Sequence, residues 1–142
     1  MSELTGKKCR PCEGGVPPLT RAQARTLARQ LSPEWVLSPQ GPYLRREFRF
    51  QDFYRTMSFV NAVAHIAHLE DHHPDLEVGY NRCCVQYTTH AIHGLSENDF
   101  ICAAKIDRIP LSEPEGNRSS RPGAPRRAAP RTARARGRRT SA

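Results

Sequence analysis

At 142 residues the chain has room for one domain of ordinary size. Its formal charge of +8 is not spread evenly: residues 1–107 hold 12 Lys/Arg and 12 Asp/Glu, whereas residues 108–142 hold ten arginines against Glu113 and Glu115. The presumed globular part is therefore neutral, which removes any argument for nucleic-acid binding from the overall pI. No apolar run nears the roughly 20 residues that span a bilayer, so a cytoplasmic protein is expected.

Residues 1–18 read as an extended segment. They contain Cys9-Arg10-Pro11-Cys12, but a structural zinc site needs about four ligands and no second CxxC follows. A thioredoxin-like motif would open a helix after a strand, whereas Gly14-Gly15 and Pro17-Pro18 follow here. Five cysteines, an odd number, make a poor disulfide framework, and reduced thiols are expected.

Thr20 can cap a first helix over 21–31, with Ala24, Leu27, Ala28 and Leu31 on one face. Residues 35–37 form a short strand, and Ser38-Pro39-Gln40-Gly41-Pro42 a turn. Leu44, Phe48 and Phe50 then alternate with polar neighbours, which predicts a strand with one buried face; Arg46 breaks the pattern and suggests an edge or a partner surface. A long helix runs from Asp52 to about Asp71, its core stripe read as Phe53, Met57, Val60, Ala64 and Ala67, with Pro74 as its terminator. Two strands follow, 76–80 and 83–90, turning at Asn81. Ser96-Glu97-Asn98-Asp99 resembles a capping box with Asp in place of Glu or Gln, and opens a last helix through Phe100, Ile101, Ala104 and Lys105.

The order α-β-β-α-β-β-α predicts an α+β two-layer sandwich: a four-stranded antiparallel sheet with helices on one face. The domain is bounded at 19–107. The Arg/Pro/Ala-rich tail, 108–142, has Ile109 and Leu111 as its only large aliphatics and five prolines, so it is read as disordered, solvated and dispensable. The competing reading is polyanion or nucleic-acid binding through the tail.

All six histidines fall between His65 and His93. An imidazole titrates near neutrality, so a cluster suggests either a metal site or acid–base chemistry. His68 and His72, four apart, could share a zinc, but no HExxH is present. His65, His68 and His93 are read as surface residues. His72 and His73 stand at a helix stop and would point about 100° apart if helical, suited to opposite sides of a small ligand. His90 ends a strand, so the three would meet where helix and sheet terminate.

The run His72-His73-Pro74-Asp75-Leu76, with Tyr80-Asn81, Thr89-His90, Gly94-Leu95-Ser96 and Asp99, resembles the pterin-4a-carbinolamine dehydratase family, as does Asp52-Phe53 opening the long helix. The resemblance spans about 19–107. It departs at His68, where the family usually has an acidic residue; Glu70 is near but on another face. The resemblance implies a hydro-lyase that converts 4a-hydroxytetrahydropterin to quinonoid dihydropterin and water, in tetrahydropterin recycling after aromatic amino-acid hydroxylation. No metal or organic cofactor is expected, and the assembly is expected to be a homodimer or homotetramer. His72 and His90 are assigned to acid–base catalysis, and His73, Pro74 and Thr89 to substrate binding. Asp99 either orients His90 or only caps its helix. The alternative is a non-catalytic pterin-binding or regulatory, transcription-partner protein on the same fold.

Overall fold

The computed structural model describes residues 3–11, 16–39 and 41–111. Cys12 and nearly all of the tail lie outside them.

Three helices and four strands follow in the expected order: α1 (Arg21–Ala28), β1 (Val36–Leu37), β2 (Leu44–Arg49), α2 (Phe53–Glu70), β3 (Asp75–Val78), β4 (Arg82–Tyr87) and α3 (Glu97–Asp107). The sheet is antiparallel throughout, ordered β1-β2-β4-β3. Leu44, Phe48, Cys83, Val85 and Tyr87 point from it into the core, where Phe59, Val63, Phe100, Ile101 and Ile106 meet them. Phe59 packs against Phe48 and Phe50 at ring-centroid distances of 4.5 and 5.1 Å. On the opposite face Arg45, Glu47, Arg49, Glu77 and Arg82 form a charged ladder.

Arg46 does not mark an edge. β2 is an inner strand, paired on both sides. The guanidinium turns inward over the Phe48 ring, 4.2 Å from its centroid, and pairs with Asp107 at 2.7 Å and Glu34 at 2.6 Å. Asp107 also accepts from the Ser32 N–H at 2.8 Å and the Trp35 indole N–H at 2.7 Å. A charge therefore fits the inner face because a carboxylate at the end of α3 meets it there.

α2 opens on Asp52, whose side chain accepts from the Arg55 N–H at 2.8 Å. Its buried stripe is Thr56, Phe59, Val63 and Ala67. Of the expected stripe only Ala67 is among these; Phe53 is 51% exposed, its ring stacked on Tyr80 instead. The helix is apolar over much of its circumference, so two stripes one position apart compete, and tertiary packing chooses between them.

Pro74 does not end α2. The helix stops at Glu70, and Asp71 adopts a left-handed conformation with φ of 48°. The Asp71 N–H then reaches the His68 carbonyl and the His72 N–H the Ala67 carbonyl, the two bonds of a Schellman turn. Both paired histidines thus lie past the helix. The other boundaries differ by a few residues: α1 ends three residues early, and β4 ends at Tyr87, leaving His90 in a 3₁₀ turn, His90–Ile92.

The N-terminal stretch, expected to be extended, begins with a 3₁₀ turn, Glu3–Gly6, whose Leu4 is fully buried in the core cluster. Past α3, Ile109 and Leu111 also pack against that cluster. Among the described residues no helix is long and apolar enough to cross a membrane.

Candidate active site

The Schellman turn sends His72 back beneath the sheet end, toward the start of α3. There its Nε2 lies 2.6 Å from Asp99 Oδ1. Asp99 is completely buried and occupies the third position of α3. Its Oδ2 accepts the Ser96 N–H at 2.9 Å, the return half of the capping box. The same oxygen accepts the Thr89 hydroxyl at 2.8 Å. That commits the Thr89 proton, so Ser96 Oγ, 2.8 Å away, donates to Thr89 Oγ1 in turn. One carboxylate therefore caps a helix, pins Thr89 two residues past the last strand and orients an imidazole.

Thr89 is held from the other side by Gly94. The two form an isolated β-bridge, with the Thr89 N–H donating to the Gly94 carbonyl at 2.9 Å. A Cβ at Gly94 would lie 2.3 Å from the Pro18 Cβ, so this close approach needs glycine.

His72 is mostly buried and stacks on Tyr87, centroids 5.6 Å apart and planes 9° from parallel. Burial by itself would lower its pKa. The hydrogen bond to Asp99 and the charge of that carboxylate outweigh burial, and the pKa lies above the ordinary imidazole value. With Nε2 engaged by Asp99, Nδ1 is left to exchange a proton with a ligand. Beneath it, burial pushes the Tyr87 phenol far up, and the neighbouring Cys102 adds to the shift.

A cleft of about 740 Å³ opens over this arrangement. His72, His73, Thr88, Thr89 and His90 line one part of it, and Lys8, Cys9, Arg10 and Pro11 the facing part. His90 is exposed at its margin, with Nε2 4.0 Å from Asp75 Oδ2. The three histidines expected to meet do share one cleft. Pro74 is half-buried and not among the lining residues, and Asp99 serves His72 rather than His90. Among the described residues no three His, Cys, Asp or Glu side chains converge as a metal site.

The N-terminal wall went unread in the sequence. Asn98 holds it in place: its side-chain carbonyl accepts the Arg10 N–H at 3.0 Å and its amide donates to the Arg10 carbonyl at 2.6 Å. Glu70, paired with Lys105, accepts the Cys9 N–H at 2.8 Å. The sequence signal was indirect: Leu4 is an apolar residue in a mostly polar stretch, and it is fully buried in the core cluster.

A carboxylate-supported imidazole on a cleft can hold a proton next to a small bound molecule and exchange it. The model of the pterin 4 alpha carbinolamine dehydratase family matches residues 17–109, and the chain belongs to that family. A relative from Nitrosomonas eutropha, which bears the provisional name pterin-4-alpha-carbinolamine dehydratase, is 57% identical over 112 residues, covering 79% of this chain and 97% of its own. One from Nitrosospira multiformis, with the same provisional name, is 58% identical over 109 residues, covering 77% of this chain and 94% of its own. The crystal structure of a transcriptional coactivator/pterin dehydratase from Brucella melitensis superimposes with a TM-score of 0.60 at 31% identity, covering 63% of this chain and 94% of that one.

Proposed function

We propose that the cleft dehydrates a 4a-hydroxytetrahydropterin to the quinonoid dihydropterin, with His72 and His90 as the acid–base pair. The observation that carries this is the 2.6 Å contact between His72 and the buried Asp99 in a chain of this family.

The reaction expels the C4a hydroxyl as water while N5 loses its proton, and the N5–C4a bond becomes double. His72, whose charged form Asp99 favours, gives the proton to the departing hydroxyl. His90, at the exposed margin, takes the N5 proton. The net change is loss of one water, and proton exchange with solvent resets the two rings. His73 binds and orients the pterin. Thr89 contributes through Asp99, because its hydroxyl proton is already committed there. The substrate is of the class released by pterin-dependent hydroxylation of aromatic amino acids.

The test is stopped-flow dehydration, with substrate generated by a hydroxylase and the quinonoid product followed by absorbance. Catalytic amounts of the protein should accelerate product formation well above the buffer rate, and metal-stripped protein should do the same. No acceleration would overturn the reading; activity lost on stripping and restored by zinc would overturn the histidine acid–base mechanism.

A further inference from the structure

The N-terminal wall brings two cysteines together that are 93 positions apart. Cys9 Sγ lies 3.6 Å from Cys102 Sγ. Cys102 is fully buried on α3, while Cys9 is half-buried and lies on the wall of the cleft. The contact is built rather than casual. Glu70 fixes the Cys9 backbone, Asn98 fixes both polar backbone atoms of Arg10, and Cys9 Sγ also sits 3.7 Å from the Asn98 carbonyl. A disulfide needs an S–S distance of about 2.05 Å, so the two sulfurs must close by about 1.5 Å.

We propose that Cys9 and Cys102 form a redox-modification site, closing to a reversible disulfide on exchange with a low-molecular-weight disulfide and stapling the N-terminal segment to α3 at the rim of the cleft. Cys9, the thiol that reaches solvent, attacks the external disulfide as its thiolate, its proton passing along the sulfur–sulfur contact to Cys102. One S–S bond of the reagent breaks, a Cys9 mixed disulfide forms, and one small thiolate leaves. Cys102 then loses its proton, attacks Cys9 Sγ from inside and displaces the second small thiolate. The two cysteines lose two electrons and two protons, and the reagent is reduced to two thiols.

The surroundings suit Cys102 to this second step. In the reduced pair the hydrogen bond from Cys9 lowers its pKa against the opposing effect of burial; once Cys9 is capped that bond is gone, and the charge of nearby His72 still favours the Cys102 thiolate. The site does not depend on the dehydratase reading, and its test needs no turnover.

Full-length protein is incubated with oxidised glutathione, free thiols are alkylated, and the digest is read by mass spectrometry. A Cys9–Cys102 cross-linked peptide is expected, reversed by dithiothreitol, lost in Cys9→Ser and kept in Cys12→Ser. The oxidised protein should also melt at a higher temperature than the reduced form, because the link closes a long loop. Cys9 linked instead to Cys12, or Cys9 left as a stable glutathione adduct, overturns the proposal. Because Cys102→Ser perturbs the core, the Cys9→Ser and Cys12→Ser variants decide the matter without it.

Discussion

His72 and the buried Asp99 form a charge-assisted hydrogen bond, a kind that contributes about 1.5–3 kcal/mol. Asp99→Asn keeps the shape and removes the charge. It should lower the His72 pKa, which two-dimensional NMR titration of the ring would read directly, and because His72 acts in its protonated form the alkaline limb of the pH–rate profile should move to lower pH with it. A profile unchanged by Asp99→Asn would mean that Asp99 serves only as a cap. The same pair has a stability signature. The folded-state pKa of His72 is raised, so its contribution is fully present below the unfolded value of about 6.5 and is lost as pH rises through the folded value. Urea melts of wild type and His72→Ala should therefore differ most on the acid side of that window and converge above it. His73→Ala should separate from His72→Ala kinetically, raising KM with little change in kcat, since it is assigned to binding.

The histidine cluster was legible in the sequence because six titratable rings crowd one window, and the capping-box spacing found Asp99. The partner of Asp99 was not legible. Whether its carboxylate meets His72 or His90 depends on how the chain leaves α2. That is decided by Asp71, a non-glycine residue in a left-handed conformation, whose position nothing local announces.

At the scale of elements, the long helix and the hairpins follow from their apolar periods and turn residues. What those periods cannot supply is the rotation of a largely apolar helix, and so the stripe on α2 was placed about one position off. Arg46 taught the same lesson on β2: alternation assigns a face, but a part-buried ion pair with Asp107, 61 residues away, can put a cation on the apolar one. Phe59, central to the aromatic cluster, is the residue whose loss α2 should feel most; Phe59→Ala should cost about 3–5 kcal/mol in chemical denaturation. Exposed Phe53→Ala should cost far less. The reverse order would restore the stripe first read from the sequence.

For the whole molecule, the four-stranded antiparallel sheet and the helix-covered face match the α+β sandwich that the element order predicts. The start of the tail needs a finer cut. Ile109 and Leu111 lie against the core, so truncation after Leu111 should leave the melting temperature near that of the full chain. Truncation after Asp107 removes both contacts and should cost about 1–3 kcal/mol, several degrees for a domain of this size. Equal melting temperatures for the two truncations would show that neither side chain contributes.

The central claim is that His72, held by Asp99, moves a proton during dehydration. Stopped-flow turnover of His72→Ala, with folding verified by circular dichroism, tests it most directly. General acid–base catalysis is typically worth about 10²–10⁴-fold, and because this dehydration is already facile without a catalyst the account predicts a fall in kcat near the lower end of that range. A folded His72→Ala protein turning over at the wild-type rate would contradict it.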